Sequence, residues 1–428
     1  MRKYTYILLL LFLAVSANAQ KSAWDEIKED VCIAGGGYCS YPYPRHEVPK
    51  LTPAPKGYKP FYMSHYGRHG SRWLHDPAQY SNPIQVLEKA DKYGKLTARG
   101  KEVLKQLREI EVSSKGRIGE LTTVGARQHQ EIAQRMTKNF PEIFRGKNVM
   151  VDTKSSTVMR CALSMLNEVK ELEAFNPRMT VNADASGADM WYMVYGDSKA
   201  AQLEKEARAK ELKAFDEKHF HPDYFVSKMF NDKQFAQDSL DLHGIMRAIL
   251  DITSNQQSHD TEISFWDLFN DQERYENWLI DNAFWYVVRG PSPITEGYMP
   301  HLAENLLNNI LESADKAIAG KGENANLRFG HDACLVPLVC FMELGDFGKV
   351  FNDLEDLAAS RWHIHDLTTM GANMQLIFYR SKKSDDILVK ALLNEKELSM
   401  PVPTETAPYY SWKAVGAYYK AKLEASKK

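Results

Sequence analysis

The stretch Phe61-Tyr62-Met63-Ser64-His65-Tyr66-Gly67-Arg68-His69-Gly70-Ser71-Arg72 begins as an apolar, aromatic run and ends with two arginines around one histidine. The run reads as a buried strand. The segment after it suits a phosphate dianion, because guanidinium forks pair with phosphate oxygens two-pronged. A neutral imidazole held between them is a nucleophile that can attack phosphorus. Gly70 is expected to let the backbone approach the anion with no side chain in the way. The plainer reading is a basic surface turn after a strand.

Arg-His-Gly-x-Arg after a strand resembles the signature of the histidine phosphatase superfamily, and in particular its large branch, the histidine acid phosphatases and phytases. Members usually carry a proline two residues after the second arginine, whereas Trp73-Leu74 follows Arg72 here. A second match is Arg328-Phe329-Gly330-His331-Asp332 before the apolar run Cys334–Phe341. The branch carries a late His-Asp pair at a strand end. Some inositol polyphosphate phosphatases carry His-Ala-Glu instead, so this pair is nearer the acid phosphatase pattern. Taken alone, Asp332 could simply cap a helix. A third match is Val149-Met150-Val151-Asp152, a short strand, followed by a serine-rich turn and Arg160 at the start of a helix. The resemblance implies that Arg68, Arg72, Arg160 and His331 bind phosphate and that His69 and Asp332 are catalytic. Leu121 to His129 resembles the family's Leu-Thr-x-x-Gly-x-x-Gln helix start and is assigned packing and capping only.

The front of the chain reads as an export signal. Arg2 and Lys3 precede an apolar run from Tyr6 to Val15, and Ala17-Asn18-Ala19 offers small residues for cleavage. That run is too short to span a membrane, and no other stretch approaches the roughly twenty apolar residues a span needs. Residues 1–19 are therefore read as a signal peptide, and the protein as periplasmic or secreted. The formal net charge is −2, which gives no reason to expect a nucleic-acid partner. Of the five cysteines, Cys32 and Cys39 flank Gly35-Gly36-Gly37 closely enough to bridge. No cysteine spacing fits a zinc site. His363-x-His365 with Asp366 has metal-compatible spacing, but a polar loop is the preferred reading. No metal and no cofactor is expected, and the partner is a small phosphorylated molecule.

Strand-like stretches at 59–66, 147–153, 326–330 and 373–380 alternate with helical ones, which argues for an α/β domain. Ile387 to Leu393 reads as a further strand paired with 373–380. The region 173–300 is rich in Glu, Lys, Phe and Trp at helical spacing, with amphipathic helices expected at 201–218 and 267–287. The resemblance implies a phosphoglycerate-mutase-like three-layer sheet domain, residues 20–172 and 301–428, with an α-helical cap inserted at 173–300. Cap aromatics including Phe265, Trp266, Trp278 and Trp285 resemble the inositol polyphosphate phosphatase side of the family, although helix packing is the preferred reading of their role.

The expected reaction is hydrolysis of a phosphomonoester. His69 attacks in line and becomes phosphohistidine, the arginines stabilise the transferring group, and Asp332 protonates the leaving alkoxide before activating water. Phytate, other inositol polyphosphates and sugar phosphates are all admissible, and Lys154 and Arg289 could aid a highly charged substrate. The alternatives are an inactive relative that binds phosphorylated ligands and a phosphoglycerate-mutase-like phosphotransferase.

Overall fold

Alternate residues of the strand that ends in the signature feed two different cores. The computed structural model describes residues 21–42, 50–194 and 196–426. The expected signal peptide lies outside the described residues. Strand β1 (Tyr58–Arg68) sends Tyr62 and Tyr66 to one hydrophobic cluster and Met63 to another. Strand β5 (Asn373–Ser381) repeats the pattern, with Leu376 and Phe378 on the first side and Ile377 and Tyr379 on the second. A sheet buried on both faces needs near-continuous apolar strands, and these runs supply them.

The remaining strands are β2 (Met150–Ser155), β3 (Thr180–Asp184), β4 (Ala325–Gly330), β6 (Ser384–Leu393), β7 (Lys396–Leu398) and β8 (Tyr410–Ser411). Among the described residues the sheet has the order β3-β2-β4-β1-β5-β6-β7, with β8 on β6. The first four are mutually parallel, and β5 to β8 run antiparallel to their neighbours. Parallel neighbours require crossovers, and helices supply them.

Helices α1 (Ala78–Lys92), α2 (Ala98–Ser114), α3 (Thr123–Asn139) and α4 (Met159–Phe175) follow β1 and β2. Helices α5 (Ser198–Ala209), α6 (Glu211–His219), α7 (Leu242–Asn255) and α8 (Asp271–Arg289) form most of the cap. Helices α9 (Glu304–Ile318), α10 (Asp332–Phe341) and α11 (Trp412–Ala425) close the other face. α3 and α4 cover the Met63 side through Ile132, Met136, Met165 and Leu172. α9, α10 and α11 cover the Tyr62 side through Leu307, Leu335 and Tyr419. The expected three layers and helical cap are present. No helix of the described residues is long and apolar enough to cross a membrane.

Three boundaries differ from expectation. β3 falls inside 173–300 but pairs with β2, so the sheet reaches further than its sequence suggested. Thr180-Val181-Asn182-Ala183-Asp184 is a half-exposed edge strand and lacks the apolar pattern that marks the buried ones. The helix expected over 201–218 breaks at Lys210, whose backbone leaves the helical region (φ −126°, ψ −78°). The helix expected from 267 starts at Asp271, where the Asn270 side chain accepts from Glu273 N–H and Glu273 reaches back to the Asn270 N–H. α1 and α2 also pack with the cap, through α7 and a short helix at Asp223–Met229. The helical layer is thus drawn from two parts of the chain.

Candidate active site

β1, β4 and β2 end side by side, and the signature segment is held there by backbone bonds that extend the sheet. Arg68 N–H donates to Ala372 O (2.7 Å), His69 N–H to Gly330 O (2.9 Å) and Gly371 N–H to His69 O (3.0 Å). Gly70 crosses Gly125 at the start of α3. A Cβ on Gly70 would lie 2.4 Å from Gly125 O, and one on Gly125 would lie 2.2 Å from Ser71 O. Close backbone packing is thus a second reason for glycine at position 70, beside the expected approach to an anion. Thr122 caps α3 and donates to Ser71 O (3.1 Å), while Gln128 Oε1 accepts from Ser71 N–H (2.8 Å). The packing role expected for 121–129 is what these contacts perform.

The expected site residues converge on this point. Arg68 and His69 are each 2% exposed and Arg72 is 8% exposed. Arg68 donates from Nη1 to Gly37 O (2.6 Å) and Thr368 O (2.8 Å), and its Nη2 pairs with Asp332 Oδ2 at 2.6 Å. Arg72 donates to Trp73 O (2.9 Å) and lies over the Tyr38 ring. Arg160, the second residue of α4, donates to Gly119 O (3.4 Å). The buried Nε of all three arginines has no hydrogen-bond partner. Three buried guanidinium Nε donors without acceptors are suited to the oxygens of an anion. His331 sits beside His69, ring centroids 5.7 Å apart, and its Nε2 is 3.3 Å from Ser156 Oγ. The N-cap residues of α4 and α10, Val158 and His331, make no side-chain hydrogen bond to the helix that follows.

The protonation pattern follows from this geometry. His69 Nδ1 lies 2.9 Å from Gly70 O. A carbonyl only accepts, so Nδ1 carries the proton and Nε2 keeps its lone pair. Burial, then Arg68, Arg72 and Arg160, push the His69 pKa well below its ordinary value. Burial and Arg160 likewise lower His331 to about 4. Burial raises Asp332, but Arg68, Arg72 and His331 outweigh it and hold the carboxyl below its ordinary value. Asp332 Oδ1 also accepts from Ala333 N–H (2.7 Å), the capping contact its position suggested.

The open face of the site is a cavity of 720 Å³ between Arg68, Arg72 and Asp332 below and the cap above. α5 and α6 contribute Arg208 and Lys213, α7 Arg247 and Asp251, and α8 Asp281 and Trp285. None of these was singled out from sequence as a substrate contact. Lys154 pairs with Asp152 (3.3 Å) and Arg289 with Glu204 (2.7 Å), and neither lines the cavity. The segment around Gly35-Gly36-Gly37 was also missed. Gly36 adopts φ +52°, and a Cβ there would meet Asp281 Oδ2 at 2.0 Å. The triplet lets the chain pass under the cap and hand the Gly37 carbonyl to Arg68. Nearby, the Cys39 thiol lies 3.2 Å from the Cys32 carbonyl.

The histidines expected in a polar loop are instead buried. His363, His365 and Glu26 place ligand-type atoms within 4.8 Å of one another. Trp278 Nε1 donates to His365 Nδ1 at 2.8 Å. An indole N–H only donates, so His365 carries its proton on Nε2 and gives it to Glu26 (3.2 Å). A metal-bound histidine needs that nitrogen bare and its other N–H donating, the reverse of this arrangement. The cluster is a hydrogen-bonded strut between a short helix at Ala23–Glu29, which carries Glu26, and α8, which carries Trp278.

Comparison with known proteins places the chain. Residues 67–394 match the histidine phosphatase superfamily (branch 2). The multiple inositol polyphosphate phosphatase of Bifidobacterium longum, in complex with inositol hexasulfate, superposes with a TM-score of 0.71 at 17% identity, over 92% of this chain and 97% of that one. A phytase from D. castellii gives 0.66 at 14% identity, over 92% and 85%. The phytase of Hafnia alvei in complex with tartrate gives 0.55 at 11% identity, over 86% and 98%. At these identities the likeness is one of fold. No curated protein sequence matches significantly.

Proposed function

This chain belongs to branch 2 of the histidine phosphatase superfamily, and from that premise we propose that it is an exported phosphomonoesterase working through a phosphohistidine on His69. The observation that carries the reading is the set of three buried arginine Nε donors without partners around a histidine with a free Nε2. Arg68, Arg72 and Arg160 bind the nonbridging oxygens of the phosphate, with His331 beside them. His69 Nε2 attacks phosphorus, and the arginines stabilise the charge spread over the equatorial oxygens.

Asp332 enters through its contact with Arg68. In the free enzyme the carboxylate occupies one prong of that guanidinium. A phosphate dianion competes for the prong and offsets the positive field that keeps the Asp332 pKa low. Both effects favour protonated Asp332 in the substrate complex. It then protonates the leaving alkoxide, and the carboxylate so formed takes a proton from the water that cleaves phosphohistidine. Arginine charge does the electrostatic work, so activity is expected to persist in EDTA. The Tyr6–Val15 run before Ala17-Asn18-Ala19 supports export to the periplasm or medium.

The test is phosphate release from p-nitrophenyl phosphate in EDTA, by wild type and His69→Ala. Release by the wild type alone is expected. Equal release by the variant would remove His69 from the reaction.

A further inference from the structure

The cap half of the cavity carries as much negative as positive charge. Arg208, Lys213 and Arg247 are offset by Asp216, Asp251 and Asp281. Part of this is internally settled. Arg208 pairs with Glu204 (2.6 Å) and lies over Phe284, and Asp216 pairs with His243 (2.6 Å). Arg247 donates to Asn277 Oδ1 (2.8 Å). Asp251 and Asp281 are left facing the cavity, one on α7 and one on α8, with Arg247 between them in charge and Gln79 and Gly37 N–H (3.3 Å) as their hydrogen-bonding neighbours. Burial raises both carboxyls, Asp281 to about 6, because no cation compensates them fully. Trp285 and Leu212 supply carbon surface in the same half.

This half faces the arginine floor whose Nε groups lack acceptors. One phosphate therefore has a place, at the floor. A second phosphate on the same molecule would meet Asp251 or Asp281, where like charges repel and Arg247 is already shared between the two carboxylates. A hydroxyl fits there, because it donates to a carboxylate and accepts from a protonated carboxyl.

Resting on the phosphatase reading, we propose that Asp251 and Asp281 are specificity-determining residues. They bind hydroxyls of the leaving group and reject further phosphates, so the site takes a sugar or polyol monophosphate in preference to a polyphosphate. The fold's likeness to inositol polyphosphate enzymes then coexists with a cap tuned to a different charge.

The decisive comparison holds the ring constant and changes only its phosphates. The readout is kcat/KM for myo-inositol monophosphate against inositol hexakisphosphate at neutral pH, for wild type, Asp251→Asn and Asp281→Asn. The ratio within one sample is independent of how much of it is folded. The wild type is expected to favour the monophosphate by about tenfold or more, and each variant to shift the ratio toward the hexakisphosphate by a similar factor. A wild type that favours the hexakisphosphate, or variants that leave the ratio unmoved, would overturn the proposal. Turnover of p-nitrophenyl phosphate separates the two levels. If that ester is hydrolysed and the ratio is wrong, only the specificity fails. If it is not hydrolysed at all, the phosphatase reading fails and the specificity falls with it.

Discussion

The proton of His69 is placed by the Gly70 carbonyl, and its absence from Nε2 is enforced by three arginines. Arg68, His69, Gly70 and Arg72 were legible because the signature packs them into five consecutive positions. His331, Asp332 and Arg160 were legible because each follows a readable strand. The Gly37 and Thr368 carbonyls that hold Arg68 were not, since a backbone acceptor leaves no mark in residue type. Asp251 and Asp281 were missed for a related reason: a lone aspartate on an amphipathic helix looks like any solvated one until the tertiary fold turns it inward. Asp332 gives the sharpest test at this scale. Asp332→Asn cannot protonate an alkoxide, so kcat for an alkyl phosphate is expected to drop by about 10²–10⁴. The drop with p-nitrophenyl phosphate should be much smaller, because nitrophenolate leaves without a proton. Equal losses on both esters, measured side by side, would assign Asp332 to binding alone.

Elements with a strong pattern were found where the sequence placed them. β4 is buried throughout, β5 as far as Tyr379, β1 from Tyr62 and β6 from Leu388, and the apolar residues in those stretches mark them. β3 is a polar edge, and the break at Lys210 lies within an unbroken amphipathic pattern, so neither announced itself. Gly70 was singled out for its approach to an anion, and the packing that also requires it was not legible. The α3 N-terminus crosses the signature segment so closely that neither glycine admits a Cβ, and backbone atoms cannot rotate away. Gly125→Ala is therefore expected to destabilise by about 1–3 kcal/mol and to lower kcat/KM by displacing the segment that carries His69 and Arg72. Thermal denaturation together with turnover checks this. An unchanged melting temperature would mean that α3 yields without cost.

Across the molecule, the core on the Tyr62 side of the sheet continues into the cap through Ile249, Trp278 and Tyr286. The cap is thus packed onto the sheet domain rather than tethered to it, and α1 and α2 join it from sequence far outside the expected cap. Such joins are set by tertiary packing, which periodicity does not encode. Burying Asp281 beneath the cap has a consequence for stability. Its folded pKa of about 6 lies above the ordinary value of 3.8, so the native state holds that proton more tightly. The favourable contribution is complete below about 3.8 and is lost as pH rises through about 6. Asp281→Asn removes that loss, so its melting temperature relative to wild type should climb from pH 4 to pH 7; a flat difference would place the carboxyl in solvent. The proposed reaction rests on His69, and its most direct test is a rapid acid-free quench of enzyme mixed with p-nitrophenyl phosphate, followed by peptide mass spectrometry. A phosphoryl group on His69, labile to acid and absent from His69→Ala, is the predicted result. Turnover that continues with no phosphoenzyme, or with the phosphate on another residue, would contradict it.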